Sequence, residues 1–502
     1  MTTDRRSLRF TPSLSAPRRD LQRMVSLVGR DDGERCSDDP VLGAGNSGLG
    51  PNPAQFLVMR FRVRAHPPAP AVDVQQYLDA HYGGWADPLV IARAFLRADP
   101  DMADSAPETV ASWFARRSLN VRWVPRLTVG DRGVPLVVTE PAREGVMLTP
   151  RVFGDVVDQD GWQPITLKSF GGRYCQIDSA MVTGGWDVVE TDSGACWPAL
   201  TPESEALLIS NALSSRLVGW TGTQLCLQES QPRAVHDEPV AIVMVGEHST
   251  QFGHWLTDYV PRLLATRALD VRIPVVVDAG HHASSLWWLE RLAPGRRVIE
   301  LAPSEALRVE RAYIPLSRTF CPTGWRDDMP LTTDVWASDP WAAAAMQVLA
   351  IDPLVAPIER TKRLWLARRG GNKPLVNQDE LAEWTWHQHG FDVVYPEDLP
   401  VVEMGRLLAS ARDVIAPIGS QLFNLLLARA GLNVLVLVGD DAMQTRGGVI
   451  SYATAGGHRV ALVGGVSEGL PPEHPYEAKQ RPYRVTQDVL ADAMSLFFGD
   501  ST

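Results

Sequence analysis

Hydrophobic residues fall into short runs along the second half of the chain, and stretches with helical spacing separate those runs. A first series comprises residues 240–246 (VAIVMVG), 273–280 (IPVVVDAG), 297–301 (RVIEL) and 311–316 (RAYIPL), and a helical pattern follows near 336–350. Apolar runs that alternate with helices predict βαβ units and a parallel sheet.

A second series of the same kind follows a linker at 351–360. Its apolar runs are 364–368 (LWLAR), 391–396 (FDVVYP), 413–419 (DVIAPIG), 433–439 (NVLVLVG) and 459–465 (RVALVGG), with helical patterns near 378–389, 400–412 and 422–430. We therefore predict an α/β protein with two Rossmann-like domains that face a cleft, at 236–350 and 351–484. An amphipathic C-terminal helical segment, 485–502, follows them.

The first half of the chain has a different texture. Residues 1–70 are rich in Arg, Asp, Ser, Gly and Pro, which predicts an irregular segment that is disordered at its start. Residues 71–235 begin with a helical pattern and continue as short strands broken by Gly and Asp turns, which predicts an α+β portion. No motif in this half indicates a function.

Composition and charge exclude several classes of protein. Of 502 residues, 45% are apolar and 21% are charged, as in soluble globular proteins, and the net charge of −11 does not favour binding to nucleic acid. No apolar run reaches about 18 residues and no secretory leader is visible, so we predict a cytoplasmic protein without a membrane span. The five cysteines form no C-x-x-C pair, which argues against a zinc site. The oligomeric state is not defined by these features.

The segment 251–263 (QFGHWLTDYVPRL) directly follows the first apolar run and contains His254, Asp258 and Arg262 at spacings of four. On a helix these three side chains would form one stripe. Because Pro261 would break a helix beyond its first turn, the helix could instead begin near Pro261 and leave His254 and Asp258 on the preceding loop. Either arrangement keeps them at the carboxyl end of a strand, where ligands bind in open α/β sheets.

Residues 416–424 (APIGSQLFN) form a strand–turn–helix pattern in the second series. Gly419 would permit close approach of the backbone, and Ser420 is a candidate N-cap whose helix start would attract an anion. The alternative is an ordinary connection of the kind that every βαβ protein contains.

Residues 364–381 place Arg368, Arg369 and Lys373 after another strand of the same series. Three cations that face the Gly419 turn would suit a diphosphate. A solvated basic loop is the alternative.

Other motifs carry less weight. Gly43, Gly45 and Gly48 match G-x-G-x-x-G, but no strand precedes them, and 158–160 (DQD) has the form of a common turn as well as of a metal-binding D-x-D. His387 and His389 suit a helix C-terminus better than a metal pair. Most of the 16 tryptophans should be core residues, and only Trp255 is placed near the cleft by its motif.

Four of these segments, taken in order, resemble glycosyltransferase family 61. The family pattern H-W-L-x-[DE]-x-x-P-R-L is similar to 254–263, and its arginine-rich S-R-x-n-R-x-x-N-E-x-E-L is similar to 367–381, with Lys373 in place of the second arginine. Its G-F-x-V-V-x-P-E-x-L is similar to 390–399, and its h-G-a-x-L-T-N is similar to 418–424. The resemblance covers about 240–465, and it suggests a member of the bacterial capsular-polysaccharide type.

The resemblance implies a GT-B architecture and inverting transfer of a sugar from a nucleotide donor, most often UDP-linked, to a hydroxyl of a glycan, without a metal or other cofactor. Under this hypothesis Asp258 or His254 acts as the base. The donor diphosphate is bound by the cationic residues of 368–373 and by the helix start at 419–420, which Asn424 orients. Trp255 and Arg262 are then candidate acceptor contacts.

Two positions depart from the family pattern, because Ile418 stands where histidine is usual and Phe423 where threonine is usual. These departures leave open a non-catalytic carbohydrate-binding or scaffold protein with the same fold. A sugar-nucleotide epimerase of the same architecture is a further alternative.

Overall fold

The computed structural model describes residues 75, 78–79, 92, 95–96, 103, 105–130, 134–147, 151–154, 165–198, 216–229, 232–303, 305–318, 339–351, 359–370, 375–440, 447–469 and 481–499. The irregular segment predicted at 1–70, the D-x-D turn at 158–160 and Lys373 lie outside these residues.

The first half of the chain contributes one helix and ten strands to the described structure. They are α1 (Pro107–Ala115), β1 (Val121–Leu127), β2 (Leu136–Val138), β3 (Arg143–Met147), β4 (Arg151–Phe153), β5 (Ile165–Ser169), β6 (Arg173–Thr183), β7 (Val189–Thr191), β8 (Gly194–Cys196), β9 (Leu217–Trp220) and β10 (Gln224–Gln228).

The first apolar series forms four parallel strands, as predicted. These are β11 (Ala234–Val243), β12 (Val275–Asp278), β13 (Val298–Leu301) and β14 (Glu305–Pro315), with α2 (Ala283–Leu292) after β12. Their spatial order is β13-β12-β11-β14, in which Ile242 of β11 lies opposite both Val275 and Tyr313. In chain order this is 3-2-1-4, the order of the first four strands of a Rossmann sheet.

The first sheet does not end at β14, because β6 pairs with β14 in antiparallel register over nearly its whole length. The sheet then continues through β7, β8, β1, β10 and β9. The boundary that the sequence suggested at residue 236 therefore falls inside one hydrogen-bonded sheet.

The predicted motif after β11 is helical from Phe252 onward. Residues 252–266, which we call the motif helix, comprise an α turn (Phe252–His254), a π turn (Trp255–Tyr259), an α turn (Val260–Arg262) and a 3-10 turn (Leu263–Thr266). A proline lacks the N–H that an α-helix needs for its i→i−4 bond, and a π turn changes that register just before Pro261. Of the two arrangements left open by the sequence, the helical one is therefore correct.

The second apolar series forms the second sheet. Its strands are β15 (Lys362–Leu366), β16 (Phe391–Val394), β17 (Ala411–Pro417), β18 (Asn433–Gly439), β19 (Arg459–Ser467) and β20 (Tyr483–Arg484). Their order is β16-β15-β17-β18-β19-β20, and the first five are parallel. In chain order this is 2-1-3-4-5, a doubly wound arrangement. The mixed α/β class is confirmed.

Helices cover both faces of this second sheet. They are α3 (Pro340–Ile351), α4 (Gln378–His389), α5 (Val401–Ser410), α6 (Gly447–Ala455) and α7 (Gln487–Phe498), with 3-10 helices at Pro396–Asp398 and Ser420–Leu427. The predicted helix end at His389 is confirmed, and Gly390 caps it with a left-handed φ of 67°.

A shared apolar core joins the two sheets. Trp255 and Val260 of the motif helix belong to the same buried cluster as Leu422 and Val436 of the second sheet. Gln347 of α3 donates through Nε2 to the carbonyls of Ala428 at 2.7 Å and Gly456 at 2.9 Å. Thus α3, which the sequence assigned to the first domain, forms hydrogen bonds with segments that connect strands of the second sheet.

Other segments also cross the domain limits that the sequence suggested. Strand β4 pairs with β19 of the second sheet. Helix α7 packs on the same sheet, where Leu490, Met494 and Phe497 share a core with Trp365.

Candidate functional site

A cavity of about 300 Å³ lies where the carboxyl ends of strands from both sheets meet. Every lining residue follows one of the strands β11, β12, β15, β16 or β17 in the chain. The wall on the side of the first sheet consists of Phe252, His282 and Ser284, and the wall on the side of the second sheet consists of Arg368, Gly370, Pro396, Glu397, Leu399, Val401, Met404, Ser420, Gln421 and Asn424.

The cavity opens at the topological switch point of the second sheet. From β15 the chain crosses to β16 on one side and later to β17 on the other, so that β15 lies between them. Arg368 follows β15 and Gly419 follows β17, and the two strands pair through Trp365 and Ile415. Ligands of doubly wound sheets bind in the crevice that such a reversal creates.

Arg368 and the turn at Gly419 are in direct contact. The Arg368 guanidinium donates through Nη1 to the Ile418 carbonyl at 3.1 Å, and Gln378 holds the Arg368 backbone by donating to its carbonyl and accepting from its N–H. A Cβ at Gly419 would lie 2.7 Å from Nη1 of Arg368 and 2.4 Å from Oε1 of Gln421. A side chain at position 419 would therefore displace the ends of both Arg368 and Gln421 from their present positions.

The 3-10 helix Ser420–Leu427 begins at this turn. Its N-cap is Gly419, so Ser420 is the first helical residue and does not cap the helix as the sequence suggested. Asn424 donates through Nδ2 to the Gln421 carbonyl at 2.9 Å, which ties the first turn of the helix together. The first N–H groups of a helix lack intrahelical acceptors, so this turn presents donors beside Arg368.

Arg369 lies apart from the cavity. Its guanidinium forms an exposed ion pair with Asp398 and lies over the ring of Tyr395 at 4.1 Å, while its backbone N–H donates to Oε1 of Glu397 at 2.7 Å. Both arginines lie beyond the end of β15 at Leu366, and their guanidinium groups contact different partners. Among the lining residues that the structure describes, Arg368 supplies the permanent positive charge.

Asp258 and Arg262 form a largely buried ion pair at the switch point of the first sheet. Their side chains are 10% and 16% exposed. The carboxylate of Asp258 accepts from Nη2 and Nε of Arg262 and from the hydroxyl of Ser317, 2.6 Å away at the end of β14. The guanidinium also lies 4.3 Å from the ring centre of Tyr259. Arg262 is thus directed to Asp258, and neither residue lines the cavity.

His254 lies at the start of the motif helix, close to the second sheet. Its ring stacks on His248 with centroids 5.0 Å apart. The neighbouring Gly253 packs against the 3-10 helix, because a Cβ there would lie 3.4 Å from Cβ of Ser420 and 3.6 Å from Cε2 of Phe423. Two motifs that are far apart in the sequence are therefore in contact.

Trp255 is a core residue. Its side chain is fully buried, and its Nε1 donates to the Ser285 carbonyl at 2.9 Å. It does not line the cavity.

The two residues that depart from the family pattern are also core residues. Ile418 is 1% exposed, and its carbonyl accepts from Arg368. Phe423 packs edge-on against Tyr452 with centroids 5.2 Å apart, and the Tyr452 hydroxyl donates to the Leu256 carbonyl at 2.7 Å. Both side chains serve the packing between the two sheets.

Several residues of the site were missed in the sequence. Asp278 ends β12, and its carboxylate accepts from the N–H of Gly246 at 2.8 Å and from the hydroxyl of Ser249, which fixes the loop before the motif helix. Desolvation raises the pKa of Asp187 to about 7, and the hydroxyl of Tyr259 donates to this carboxyl group at 3.2 Å. The sequence indicates Asp278 as a candidate site residue, because an acidic residue directly follows the run VVV of a predicted strand. No sequence pattern indicates Asp187.

This geometry defines the chain as an α/β protein with a cavity between its two sheets. Residues 252–435 match the family model for glycosyltransferase 61. The match runs from the motif helix to β18 and contains Arg368 and the Gly419 turn, and it supports glycosyltransferase activity for this chain. No curated protein matches the chain.

Two features are absent from the described part of the chain. No described helix is long and apolar enough to cross a bilayer. No group of three or more His, Cys, Asp or Glu side chains among the described residues is arranged to hold a metal ion.

Proposed function

We propose that this chain is an inverting, metal-independent glycosyltransferase of GT-B architecture that moves a sugar from a UDP-linked donor to a glycan hydroxyl, of the capsular-polysaccharide kind. The observation that carries the proposal is the contact between Arg368 and the Gly419 turn at the switch point of the second sheet. This contact brings a guanidinium and a helix start to one wall of a cavity, and both favour phosphate oxygens.

The charges along the cavity wall favour one orientation of a bound nucleotide-sugar donor. Arg368 and Ser420 follow the neighbouring strands β15 and β17, whereas Glu397 follows β16 on the other side of β15. Neighbouring strands are about 4.8 Å apart, so the ends of β16 and β17 are separated by about 10 Å. A carboxylate repels phosphate and accepts from hydroxyls, so the ribose would lie near Glu397 and the diphosphate near Arg368.

Inverting transfer requires that the negative charge on the departing diphosphate be stabilised. The guanidinium of Arg368 and the first N–H groups of the 3-10 helix supply this stabilisation from fixed positions, so that no reorganisation is needed during the reaction. Glu397 is the one carboxylate among the described lining residues, whereas divalent cations prefer several oxygen ligands. The lining residues thus support a donor site in which the guanidinium of Arg368, and not a metal ion, stabilises the diphosphate.

The same reaction requires a base for the acceptor hydroxyl. Asp258 is less suited to this role because its carboxylate already accepts from Arg262 and Ser317. His254 lies beside Gly253, which contacts Ser420 at the cavity wall. We therefore assign the base to His254, with His248 stacked against it.

A direct test is product analysis with purified protein, UDP-sugars and candidate glycan acceptors in EDTA. We expect UDP release and a glycoside of inverted anomeric configuration, which NMR resolves, and we expect His254→Ala and Arg368→Ala to lose transfer while they remain folded. Conversion of the sugar nucleotide without an acceptor would identify an epimerase instead. Full transfer by folded Arg368→Ala would contradict the proposed donor site.

A further inference from the structure

The wall of the cavity opposite Arg368 contains a histidine with a defined hydrogen-bonding role. His282 is the N-cap of α2, and its Nδ1 accepts from the backbone N–H of Ser284 at 3.3 Å and lies 2.8 Å from the hydroxyl of the same residue. Both His282 and Ser284 line the cavity. The cap therefore places the ring at the edge of the proposed donor site.

The capping bond decides which ring nitrogen carries the proton. A backbone N–H can only donate, so Nδ1 of His282 must be the acceptor. The proton of the neutral imidazole is then on Nε2, on the side of the ring away from Ser284. His282 is exposed, so this N–H is available to a ligand as a hydrogen-bond donor.

A second observation supports a binding site for a polar ligand between the two walls. Gln421 lines the cavity and is 6% exposed, and its Nε2 donates to the Pro417 carbonyl. Its Oε1 is buried without a hydrogen-bond donor among the described residues. A buried acceptor of this kind is costly unless a partner supplies a donor, as a sugar hydroxyl would.

We propose that His282 is a donor-binding residue that reaches the nucleotide sugar from the first sheet: its Nε2–H donates to a diphosphate oxygen from the side opposite Arg368. The inference rests on the proposed function, because it requires a diphosphate in this cavity. Two features favour an anion at this position. The N-terminus of α2 lies at one wall and the start of the 3-10 helix lies at the other. The bound donor would thus contact both sheets.

The capping role of His282 allows a matched test. Asparagine and aspartate are among the best N-cap residues, so His282→Asn and His282→Asp both keep the cap of α2 and lack the Nε2–H group. The aspartate variant also places a negative charge beside the proposed diphosphate. The measurements are the Kd for UDP and for inorganic diphosphate by calorimetry in EDTA, with Tm as the readout of the cap.

We expect both variants to retain the wild-type Tm. The affinity for both ligands should fall about 10-fold in His282→Asn, as for the loss of one hydrogen bond to a charged group, and further in His282→Asp. Wild-type affinity in both variants, together with weakened binding in Arg368→Ala, would show that His282 only caps the helix and would leave the proposed function intact. Absence of UDP and diphosphate binding in the wild-type protein would overturn both proposals.

Discussion

Gly419→Ala is the substitution that most sharply perturbs the contact between Arg368 and its turn. The added Cβ would lie 2.4 Å from Oε1 of Gln421 and 2.7 Å from Nη1 of Arg368, and ordinary contact begins at 3.4 Å, so the ends of both side chains must move by about 0.7–1 Å. Displacement of the Arg368 guanidinium from the added Cβ perturbs its 3.1 Å bond to the Ile418 carbonyl. The φ of 165° at Gly419 is extended backbone, so no backbone strain is added.

The expected magnitudes follow from these contacts. Overpacking of this kind costs about 1–3 kcal/mol of unfolding free energy. Displacement of Arg368 removes a charge-assisted interaction with the ligand, so we expect UDP to bind at least about 10-fold more weakly, which corresponds to about 1.4 kcal/mol. Isothermal titration calorimetry gives the affinity, and urea unfolding gives the stability.

Gly253→Ala is the matched control on the other side of the same contact. Its Cβ would lie 3.4 Å and 3.6 Å from its nearest neighbours, Ser420 and Phe423, which is ordinary van der Waals contact. We expect UDP affinity within about 2-fold of wild type and a small gain in stability, because alanine is favoured over glycine in a helix. Wild-type affinity in folded Gly419→Ala, or an equal loss in Gly253→Ala, would refute the reasoning about Arg368.

Three further predictions concern charged groups. Arg368→Ala should weaken UDP binding about 10-fold or more in calorimetry, whereas Arg369→Ala should change it less than about 2-fold, since the Arg369 guanidinium is in an exposed ion pair. Asp258→Asn should cost about 3–5 kcal/mol in urea unfolding because it leaves buried Arg262 unpaired, and the double variant with Arg262→Met should recover most of the loss. Because desolvation raises the pKa of Asp187 to about 7 from its usual 3.8, the folded state retains a proton that the unfolded state releases. This contribution to stability is fully present below about pH 4 and is lost as the pH rises from about 4 to about 7, so Asp187→Asn should reduce the loss of stability over that range; an unchanged loss would contradict this account.

The strands and helices of the second half could be predicted because each apolar run in the sequence corresponds to one buried strand or helix. Residues 433–439 of β18 and 461–465 of β19 are buried on both sides, as strands inside a parallel sheet require. The motif helix was harder to predict. Pro261 indicated that the helix could start there, whereas the π turn accommodates this proline inside a helix that begins earlier. A change in helical register depends on packing around the proline, and the sequence does not display it.

The candidate site could be predicted only in part, for a similar reason. Arg368 and Arg369 are indistinguishable in the sequence, and their separation depends on which side of the strand end each one faces. Trp255 belongs to a motif at the cleft but is directed into the core. The wall that contains His282 comes from a helix start about 90 residues before Arg368, and only the packing of the two sheets brings them to one cavity.

The central claim is that a nucleotide sugar binds by its diphosphate between Arg368 and the start of the 3-10 helix. A crystal structure of the protein with UDP, grown in EDTA, tests this claim most directly. We predict phosphate oxygens within hydrogen-bonding distance of the Arg368 guanidinium and of Ser420, with the ribose toward Glu397. Ordered UDP in any other position, with the cavity at Arg368 free of phosphate, would contradict the account.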